Sequence, residues 1–362
     1  TFLRTLGLGA LALSTGRMPR LHADPRNTPM RNFVFCYFSG GWDILLSLDP
    51  KDPEKFPESK IPQTKIQLAW DRLPSEYPRT LIQPSGSNIV FGPIMETFAK
   101  HYNKCCVVRG VTSRTLSHQA GRRFFFTGEQ PTGNTAKGSD IGARIVAQQG
   151  AHTPIPSLAM RVESYNSNLP HYASTLGMSH VGDLDRLLRD GKDSPSGTLR
   201  ALLEEARARR DVCDPAQHNH EGLVDTLLGM QKSSRLMVSG DYAQFFDFRK
   251  QDDEMKKIYE RYRLEEYYAD RRRFQREGFA QAAIAYQALK HNVAQCVTIR
   301  IARKLDTHGP EWAIRQPQRQ LEGFQALDLL LQDLDQTPHP KYGGSLLSHT
   351  TVVVYSEFAR TP

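Results

Sequence analysis

Four short runs of apolar residues, each followed at once by polar residues, organise the chain. The first run, 33–38, holds six apolar or aromatic residues without interruption and ends before Gly40 and Gly41. Such a run predicts a strand that is buried on both faces, as in a parallel sheet. The other three runs are 104–111, 295–302 and 350–355. Together the four runs predict an α/β fold with a mostly parallel central sheet.

Helical patterns lie between the first two of these runs and after the second. Gly92 and Pro93 precede apolar residues at helical spacing up to Tyr102. Proline suits the first position of a helix, so a helix is predicted here. It would connect the first two strands as a right-handed β-α-β unit. Residues 118–128 predict the next helix.

Further elements are predicted along the rest of the chain. Ser139 can cap a helix that stops at Gly150. Residues 154–159 predict an edge strand. An alanine-rich pattern at 279–291 and a leucine-rich pattern at 320–334 both have the spacing of core helices.

The first 23 residues predict an export signal. They hold three arginines and no acidic residue, and their apolar run, 6–14, is too short to span a bilayer. Small residues near Ala23 offer a cleavage point. The beginning of the chain resembles the tail of a twin-arginine signal whose two arginines would lie just upstream of Thr1. An ordinary N-terminal helix is the alternative interpretation.

Residues 24–362 are predicted to form one α/β domain with a helical insertion at about 182–273. In the insertion, short leucine-bearing helices alternate with highly charged turns. A solvated charged surface explains this alternation of leucine-bearing and charged segments more simply than a binding surface does. No other segment is long and apolar enough to cross a membrane.

Composition narrows the functional classes. Lysine and arginine number 47 and aspartate and glutamate 39, which gives a net charge of +8 that is spread among acidic residues. This excess fits a mixed-charge surface that slightly favours anionic ligands, and no nucleic-acid recognition motif accompanies it. The 5 cysteines form neither a disulfide framework nor a zinc-site spacing.

Polar residues with catalytic chemistry follow each predicted strand. They are Asp43 after the first, the group Ser113, Thr115, Ser117 and His118 after the second, Asp306 and His308 after the third, and Glu357 after the fourth. The carboxyl ends of parallel strands meet at one edge of a sheet, where open α/β sheets bind ligands. Carboxylate oxygens and imidazole nitrogens suit a divalent metal, and a nearby hydroxyl is a potential nucleophile.

Each of these residues also has a structural interpretation. Asp43 could cap the turn that follows it, His308 could be an isolated core histidine, and Glu357 could pair with Arg360. The sequence leaves these alternatives open for single residues, whereas the coincidence of four strand ends favours a site.

Several motifs together resemble an exported bacterial family known as domain-of-unknown-function family 1501. They run in order along nearly the whole chain: Gly40-Gly41-Trp42-Asp43, Arg109-Gly110-Val111, Ser117-His118-Gln119-Ala120-Gly121, Thr127-Gly128, Asp306-Thr307-His308-Gly309, and Ser356-Glu357-Phe358-Ala359-Arg360-Thr361-Pro362. The family has glycine where Ala359 stands. It is grouped with the alkaline phosphatase and sulfatase superfamily.

The resemblance implies an α/β/α sandwich and a site for one or two divalent cations, with Zn, Mg, Mn and Ca as candidates. It implies metal ligation by Asp43, Asp306, His308 and Glu357. Ser117 is the preferred nucleophile, with Thr115 and Ser113 as alternatives, and His118 is a ligand, a base or a structural residue. The family pattern continues past Pro362 into a histidine-bearing block, so either the chain is a fragment or its site is incomplete. The absence of the two arginines expected upstream of Thr1 favours a fragment.

Two functions follow as expectations. The first is a metal-dependent hydrolase of phosphate or sulfate esters in the cell envelope, with a small anionic ester as its substrate. The second is a non-catalytic exported binding or scaffold protein that keeps the fold and binds an unknown envelope partner.

Overall fold

A five-stranded, all-parallel sheet forms the centre of the protein. The computed structural model describes residues 30–133, 135–189, 197–213, 242–250, 252–270, 272 and 276–360. The strands are β1 (Asn32–Phe38), β2 (Ser157–Met160), β3 (Leu176–Met178), β4 (Cys296–Ala302) and β5 (Thr350–Tyr355), and their spatial order is β3-β2-β4-β1-β5. The predicted strands at 33–38, 295–302 and 350–355 are confirmed.

Strand β1 lies between β4 and β5 and pairs with both in parallel. Phe33 is opposite Cys296 of β4, and Val34 is opposite Val352 of β5. Both edges of β1 are therefore hydrogen-bonded. The side chains of the strand are also buried on both faces, which agrees with its uninterrupted apolar sequence.

Helices cover both faces of the sheet. Alternate residues of a strand point to opposite faces. Val34, Cys36 and Phe38 belong to a large core with residues of α9 (Glu277–Lys290) and α10 (Trp312–Gln336). Phe35 and Tyr37 belong to a second cluster with residues of α3 (His118–Thr127) and α4 (Ile141–Gln149). The fold is therefore an α/β/α sandwich, as expected.

Six shorter or peripheral helices complete the described fold. They are α1 (Ile61–Thr64), α2 (Glu96–Ala99), α5 (Gly182–Leu188), α6 (Gly197–Cys213), α7 (Asp253–Arg261) and α8 (Leu264–Ala269). Within the predicted insertion at 182–273 the described residues form α5 to α8 with turns between them, and Met255, Tyr262 and Leu264 enter the main core. The predicted export signal lies outside the described residues. In the described part of the chain no helix combines the length and apolarity needed to span a bilayer.

The predicted strand at 104–111 is wrong. Residues 105–111 have no regular secondary structure, and the side chains of Val108 and Val111 are 74% and 71% exposed. Arg109 instead donates hydrogen bonds to the backbone oxygens of Leu48 and Val90. The short apolar run has no place beside β1, because β4 and β5 already occupy both of its edges.

Three other predictions need correction. The helix predicted after Pro93 is only the single turn α2, so no β-α-β unit forms there. The strand predicted at the sheet edge is β2, which lies inside the sheet because β3 pairs with its outer side. Asp140, and not Ser139, caps α4 by accepting a hydrogen bond from the Ala143 amide at 2.8 Å. A carboxylate and a serine hydroxyl are comparable caps, so sequence alone could not choose between neighbours.

Candidate active site at the carboxyl edge of the sheet

The ends of β1, β4 and β5 meet through a close backbone approach at Gly40. Gly40 has a φ of +119°, and a Cβ atom at this position would lie 2.5 Å from the backbone nitrogen of Asp306. Its amide donates to both carboxylate oxygens of Glu357, at 2.9 and 3.1 Å. Glycine is therefore required here, because only a residue without a side chain lets the three strand ends come together.

Glu357 is a buried carboxylate with several donors. It is 2% exposed. Besides the Gly40 amide, the Ser356 hydroxyl donates to it at 2.9 Å, and the Nδ1 atom of His118 lies 2.8 Å from its Oε1. A buried carboxylate is stable only when such donors offset its lost hydration. Glu357 is therefore a fixed anchor for the His118 ring.

The His118 ring bridges two carboxylates from different strands. While Nδ1 faces Glu357, Nε2 lies 3.1 Å from Oδ1 of Asp306. Both ring nitrogens can donate hydrogen bonds at the same time only when the ring is a protonated imidazolium. A neutral ring carries one N–H group and can donate to only one of the two carboxylates. The ring packs against Phe358 with 4.8 Å between centroids. This geometry suits His118 to hold a proton between two acceptors.

Asp306 collects three cationic or imidazole groups at one oxygen. Its Oδ1 lies 2.7 Å from Nη2 of Arg360, 2.7 Å from Nε2 of His308 and 3.1 Å from Nε2 of His118. Partial burial acts to raise the pKa of Asp306, but the charge and hydrogen bond of His118, with the charges of Arg360 and His308, lower it below its usual value. Asp306 is therefore a carboxylate at neutral pH.

Asp43 lies near these residues but has other partners. It is fully buried, and its carboxylate accepts hydrogen bonds from the Leu45 amide at 2.9 Å and from Nε1 of Trp312 at 2.8 Å. Burial raises the pKa of Asp43 to about 7, although these hydrogen bonds act to lower it. In this structure Asp43 caps the turn Ile44–Leu46, which matches the structural interpretation of this residue. Its ligation of a metal stays a prediction.

The predicted hydroxyl nucleophiles lie directly before His118. Ser117 caps α3 through a 3.4 Å hydrogen bond from the Ala120 amide, and its side chain is exposed. The Thr115 hydroxyl accepts from the Ser117 amide at 3.1 Å, and the Ser113 hydroxyl donates to the Thr115 backbone oxygen at 3.3 Å. In this structure Ser117 is the helix cap directly before the bridging histidine, and its role as the nucleophile stays a prediction.

The structure brings together four of the predicted residues: His118, Asp306, His308 and Glu357. Two carboxylates and two imidazoles form a donor set whose chemistry fits a divalent cation. In this structure the imidazole nitrogens of His118 and His308 contact carboxylate oxygens of Asp306 and Glu357. Within the described residues, no group of three or more histidine, cysteine, aspartate or glutamate side chains has an arrangement that could hold a metal ion.

A positively charged depression adjoins this network. It has a volume of about 420 Å³ and is lined by Lys304, Asp306, Arg315 and Arg319. The charge of Arg303 is the largest of several influences that lower the pKa of Lys304, and slight burial and the charges of Arg319 and Arg315 act in the same direction. Positive charge therefore accumulates next to Asp306.

Two contributors to the site were not predicted from the sequence. Arg360 binds Asp306 and also donates to the backbone oxygen of Thr307 at 2.8 Å, so it does not pair with Glu357 as the sequence had suggested. Ser356 donates to Glu357. Both residues belong to the motif 356–362, and membership of that motif was the one feature of the sequence that pointed to a role in the site. His308 is 73% exposed and is not a core histidine.

The fold and the polar rim define an α/β/α sandwich protein with a candidate site at the carboxyl edge of a parallel sheet. A family model described as "Protein of unknown function (DUF1501)" matches residues 30–362. The chain therefore belongs to this family, which confirms the resemblance seen in its motifs. A comparison with curated proteins finds no match, and neither does a comparison with solved structures.

Proposed function

We propose that this protein is a hydrolase of phosphate or sulfate esters whose reaction takes place around His118. One observation carries the proposal: an imidazole is held between the carboxylates of Glu357 and Asp306, with Arg360 beside it, at the edge where parallel sheets bind ligands. An imidazole oriented by a buried acid is suited to general acid–base chemistry. Arg360 supplies positive charge for an anionic ester.

The chemistry requires few groups. The hydroxyl oxygen of Ser117, or a water molecule, attacks the phosphorus or sulfur atom, and the bond from that atom to the leaving oxygen breaks. His118 in its imidazolium form gives a proton to the leaving alcohol. If Ser117 is the nucleophile, its hydroxyl proton passes to solvent as the new bond forms. Water then displaces the phosphate or sulfate from Ser117, one hydrogen of that water ends on the Ser117 oxygen, and His118 regains its proton from solvent. If water attacks directly, the proton that it loses returns to His118. Glu357 keeps the ring oriented throughout.

A divalent cation is part of the proposal. Asp306 and His308 would hold it once the contacts of these two side chains are exchanged for metal bonds, while Glu357 keeps His118 oriented and His118 stays free to transfer the proton. Asp43 is a further ligand if its carboxylate leaves Trp312. When bound, the cation supplies Lewis-acid stabilisation of the ester oxygens. The superfamily relation, the export signal and the envelope location are proposed with this function.

The test uses the longest native form of the protein, including whatever residues its gene encodes beyond Pro362. Bound metal is measured by elemental analysis before and after chelation. Hydrolysis of aryl phosphate and aryl sulfate esters is then measured with Zn, Mg, Mn or Ca added back. We expect hydrolysis to require the metal, and we expect Asp306→Asn to reduce both metal content and turnover.

A matched control separates the site from general damage. Asp185→Asn removes a carboxylate that pairs with Arg189 on α5, outside the network. It should leave metal content and turnover unchanged. Turnover that is equal in Asp306→Asn and Asp185→Asn would reject the proposal.

A second candidate function is a non-catalytic binding or scaffold protein. The observation in its favour is that Asp43, His118 and Asp306 already have hydrogen-bond or ion-pair partners within the protein. Under this alternative the network stabilises the strand ends and no ester is hydrolysed. Absence of metal and of turnover in the native protein, with a large loss of stability in Asp306→Asn, would favour it.

A further inference from the structure

The depression beside Asp306 has the size of a ligand site and an unbalanced charge. Its volume of about 420 Å³ lies within the range of small-molecule pockets, roughly 300–1,000 Å³. Three of its four lining residues are cationic: Lys304, Arg315 and Arg319. We call this feature the basic depression.

The acidic residues nearby offset these charges only in part. Arg319 pairs with Glu322 at 2.9 Å, but Arg315 reaches Glu311 only at 3.9 Å. No ion pair of Lys304 occurs among the described residues. Asp306, the one acid in the lining, already faces Arg360 and the two histidines of the network. An anion entering the depression would therefore meet an excess of positive charge.

The backbone of Lys304 supports a role other than packing. Lys304 has a φ of +61°, a left-handed conformation that costs a non-glycine residue roughly 1–2 kcal/mol. The side chain is exposed, so no core contact compensates. Strain of this kind is commonly retained where a side chain has to be presented to a ligand.

The positive charge continues along the sheet edge towards β2. Buried Glu277 accepts from three arginines, at 3.0 Å from Arg161, 3.0 Å from Arg300 and 3.4 Å from Arg303. The Nε atom of Arg300 is buried without a hydrogen-bond partner in the described structure. One buried carboxylate therefore contacts three guanidinium groups at this part of the sheet edge.

We propose that the basic depression binds a second anionic group of the substrate, a phosphate or sulfate other than the one that reacts at His118. This inference rests on the proposed function. It makes the substrate class esters carried on polyanionic molecules, such as multiply phosphorylated or sulfated sugars. Asp306 lies in both places, because it lines the depression and contacts His118, so the two anionic groups of one small molecule would bind side by side.

Direct binding tests the depression without requiring catalysis. Pyrophosphate is titrated into the native protein by calorimetry at low and high salt. We expect binding that weakens with salt, and a loss of about tenfold or more in affinity for the triple variant Lys304→Glu, Arg315→Glu, Arg319→Glu, since charge-assisted contacts are the strong ones.

Two further variants keep the binding test interpretable. Lys304→Gly removes the ammonium group at a position whose φ suits glycine, so it should weaken binding without unfolding the protein. The triple variant Lys256→Glu, Lys257→Glu, Lys341→Glu makes the same change in net charge at exposed residues of α7 and of the loop before β5. It should bind pyrophosphate as the native protein does. Equal loss in both triple variants would overturn the proposal.

Kinetics then separates a substrate group from a free anion. Phosphate release is compared for glucose 6-phosphate and fructose 1,6-bisphosphate. We expect the bisphosphate to have a lower KM in the native protein, and we expect that advantage to disappear in Lys304→Gly but to be kept in the variant Lys256→Glu, Lys257→Glu, Lys341→Glu. If pyrophosphate binding falls but the KM advantage stays, the depression holds a free anion and the substrate assignment is wrong.

The two proposals fail in different ways. If the native protein hydrolyses neither ester, the proposed function fails, and the substrate assignment that rests on it fails too. In that event salt-sensitive pyrophosphate binding that Lys304→Gly weakens still supports an anion site. If both esters are hydrolysed and the KM of each ester is the same in the native protein and in Lys304→Gly, the proposed function stands and this inference is overturned.

Discussion

His118 and Glu357 are 239 residues apart in the chain, yet Nδ1 of the histidine lies 2.8 Å from Oε1 of the glutamate. The contact joins the first turn of α3 to the end of β5. It fixes the ring orientation, so the other nitrogen faces Asp306. Orientation of a histidine by a buried carboxylate is a recurring device in catalytic sites.

Replacing either partner of this pair should impair the proposed hydrolysis. Glu357→Gln puts an amide where the His118 ring and the Gly40 amide require an acceptor. We expect kcat/KM to fall by about 10²-fold or more. The double variant Glu357→Gln, His118→Gln should be little worse than the single variants, because the residues act as a unit. Steady-state kinetics measures this.

The control for this experiment is Glu205→Gln, which removes an exposed glutamate that pairs with Arg209 on α6. It should leave kcat/KM unchanged. Additive losses in the double variant would show that His118 and Glu357 act independently, which would contradict the coupled arrangement.

Gly40→Ala should destabilise the protein strongly. The added Cβ would lie 2.5 Å from the Asp306 nitrogen, so the ends of β1 and β4 would have to separate. We expect the free energy of unfolding to fall by about 3 kcal/mol or more, combining steric crowding with a positive φ. Denaturant unfolding measures the change.

Gly110→Ala is the matched control. Gly110 also has a positive φ, +78°, but nothing lies within 4 Å of a Cβ placed there. It should therefore lose only about 1–2 kcal/mol, the cost of the left-handed backbone. If the two variants lose the same stability, then the close approach of Gly40 to Asp306 is not what requires glycine.

Trp312→Phe should leave an oxygen of buried Asp43 without its donor. The indole Nε1 of Trp312 donates to that oxygen at 2.8 Å. Loss of one donor to a buried polar group costs about 1–3 kcal/mol. Trp70→Phe is the control, because Trp70 is also buried but its Nε1 has no hydrogen-bond partner in the described structure. A larger loss in the Trp70 variant would contradict the role assigned to Trp312.

Stability should depend on pH through His291, which stacks on Phe245 with 3.6 Å between ring centroids. Burial, followed by the charge of Lys290, lowers the pKa of His291 to about 4. As pH falls from 6.5 towards 4, His291 becomes protonated in the unfolded chain but stays neutral in the folded protein. The free energy of unfolding therefore decreases in this pH window. The loss should be about 1–3 kcal/mol, less than the full shift implies because the ring is partly solvated.

The check is a set of unfolding curves for the native protein and His291→Phe at several pH values. Phenylalanine keeps the stack on Phe245 but does not titrate. Measurements at pH 8, where the histidine is neutral in both states, set the baseline. Below pH 6.5 the variant should gain stability relative to the native protein. Parallel pH profiles for the two proteins would contradict this assignment.

The predictable part of the fold is the part in which local sequence and tertiary position agree. Residues 33–38 and 350–355 are apolar because β1 and β5 lie in a covered sheet, and the pattern shows it directly. Residues 104–111 carry a similar short run, but sheet membership depends on which strands are free to pair. The places beside β1 are taken by β4 and β5, and the local sequence of residues 104–111 carries no information about this.

The candidate site divides in the same way. Asp306, His308 and Glu357 could be predicted because each follows a strand at the same edge. His118 was expected after a strand at 104–111 that does not form, and it reaches the edge instead as the first residue of α3. The pairing of Arg360 with Asp306, and not with the nearer Glu357, could not. It depends on the direction of the chain after β5, which brings the guanidinium group to Thr307 and Asp306.

The spatial order of the strands has a practical consequence for handling the protein. In the described sheet β5 is the last strand beyond β1, so one row of its backbone amides and carbonyls has no neighbouring strand there. Such a margin is a template for edge-to-edge polymerisation. Samples for calorimetry or kinetics should therefore be kept dilute and checked by light scattering, because self-association along this margin would imitate ligand-induced heat.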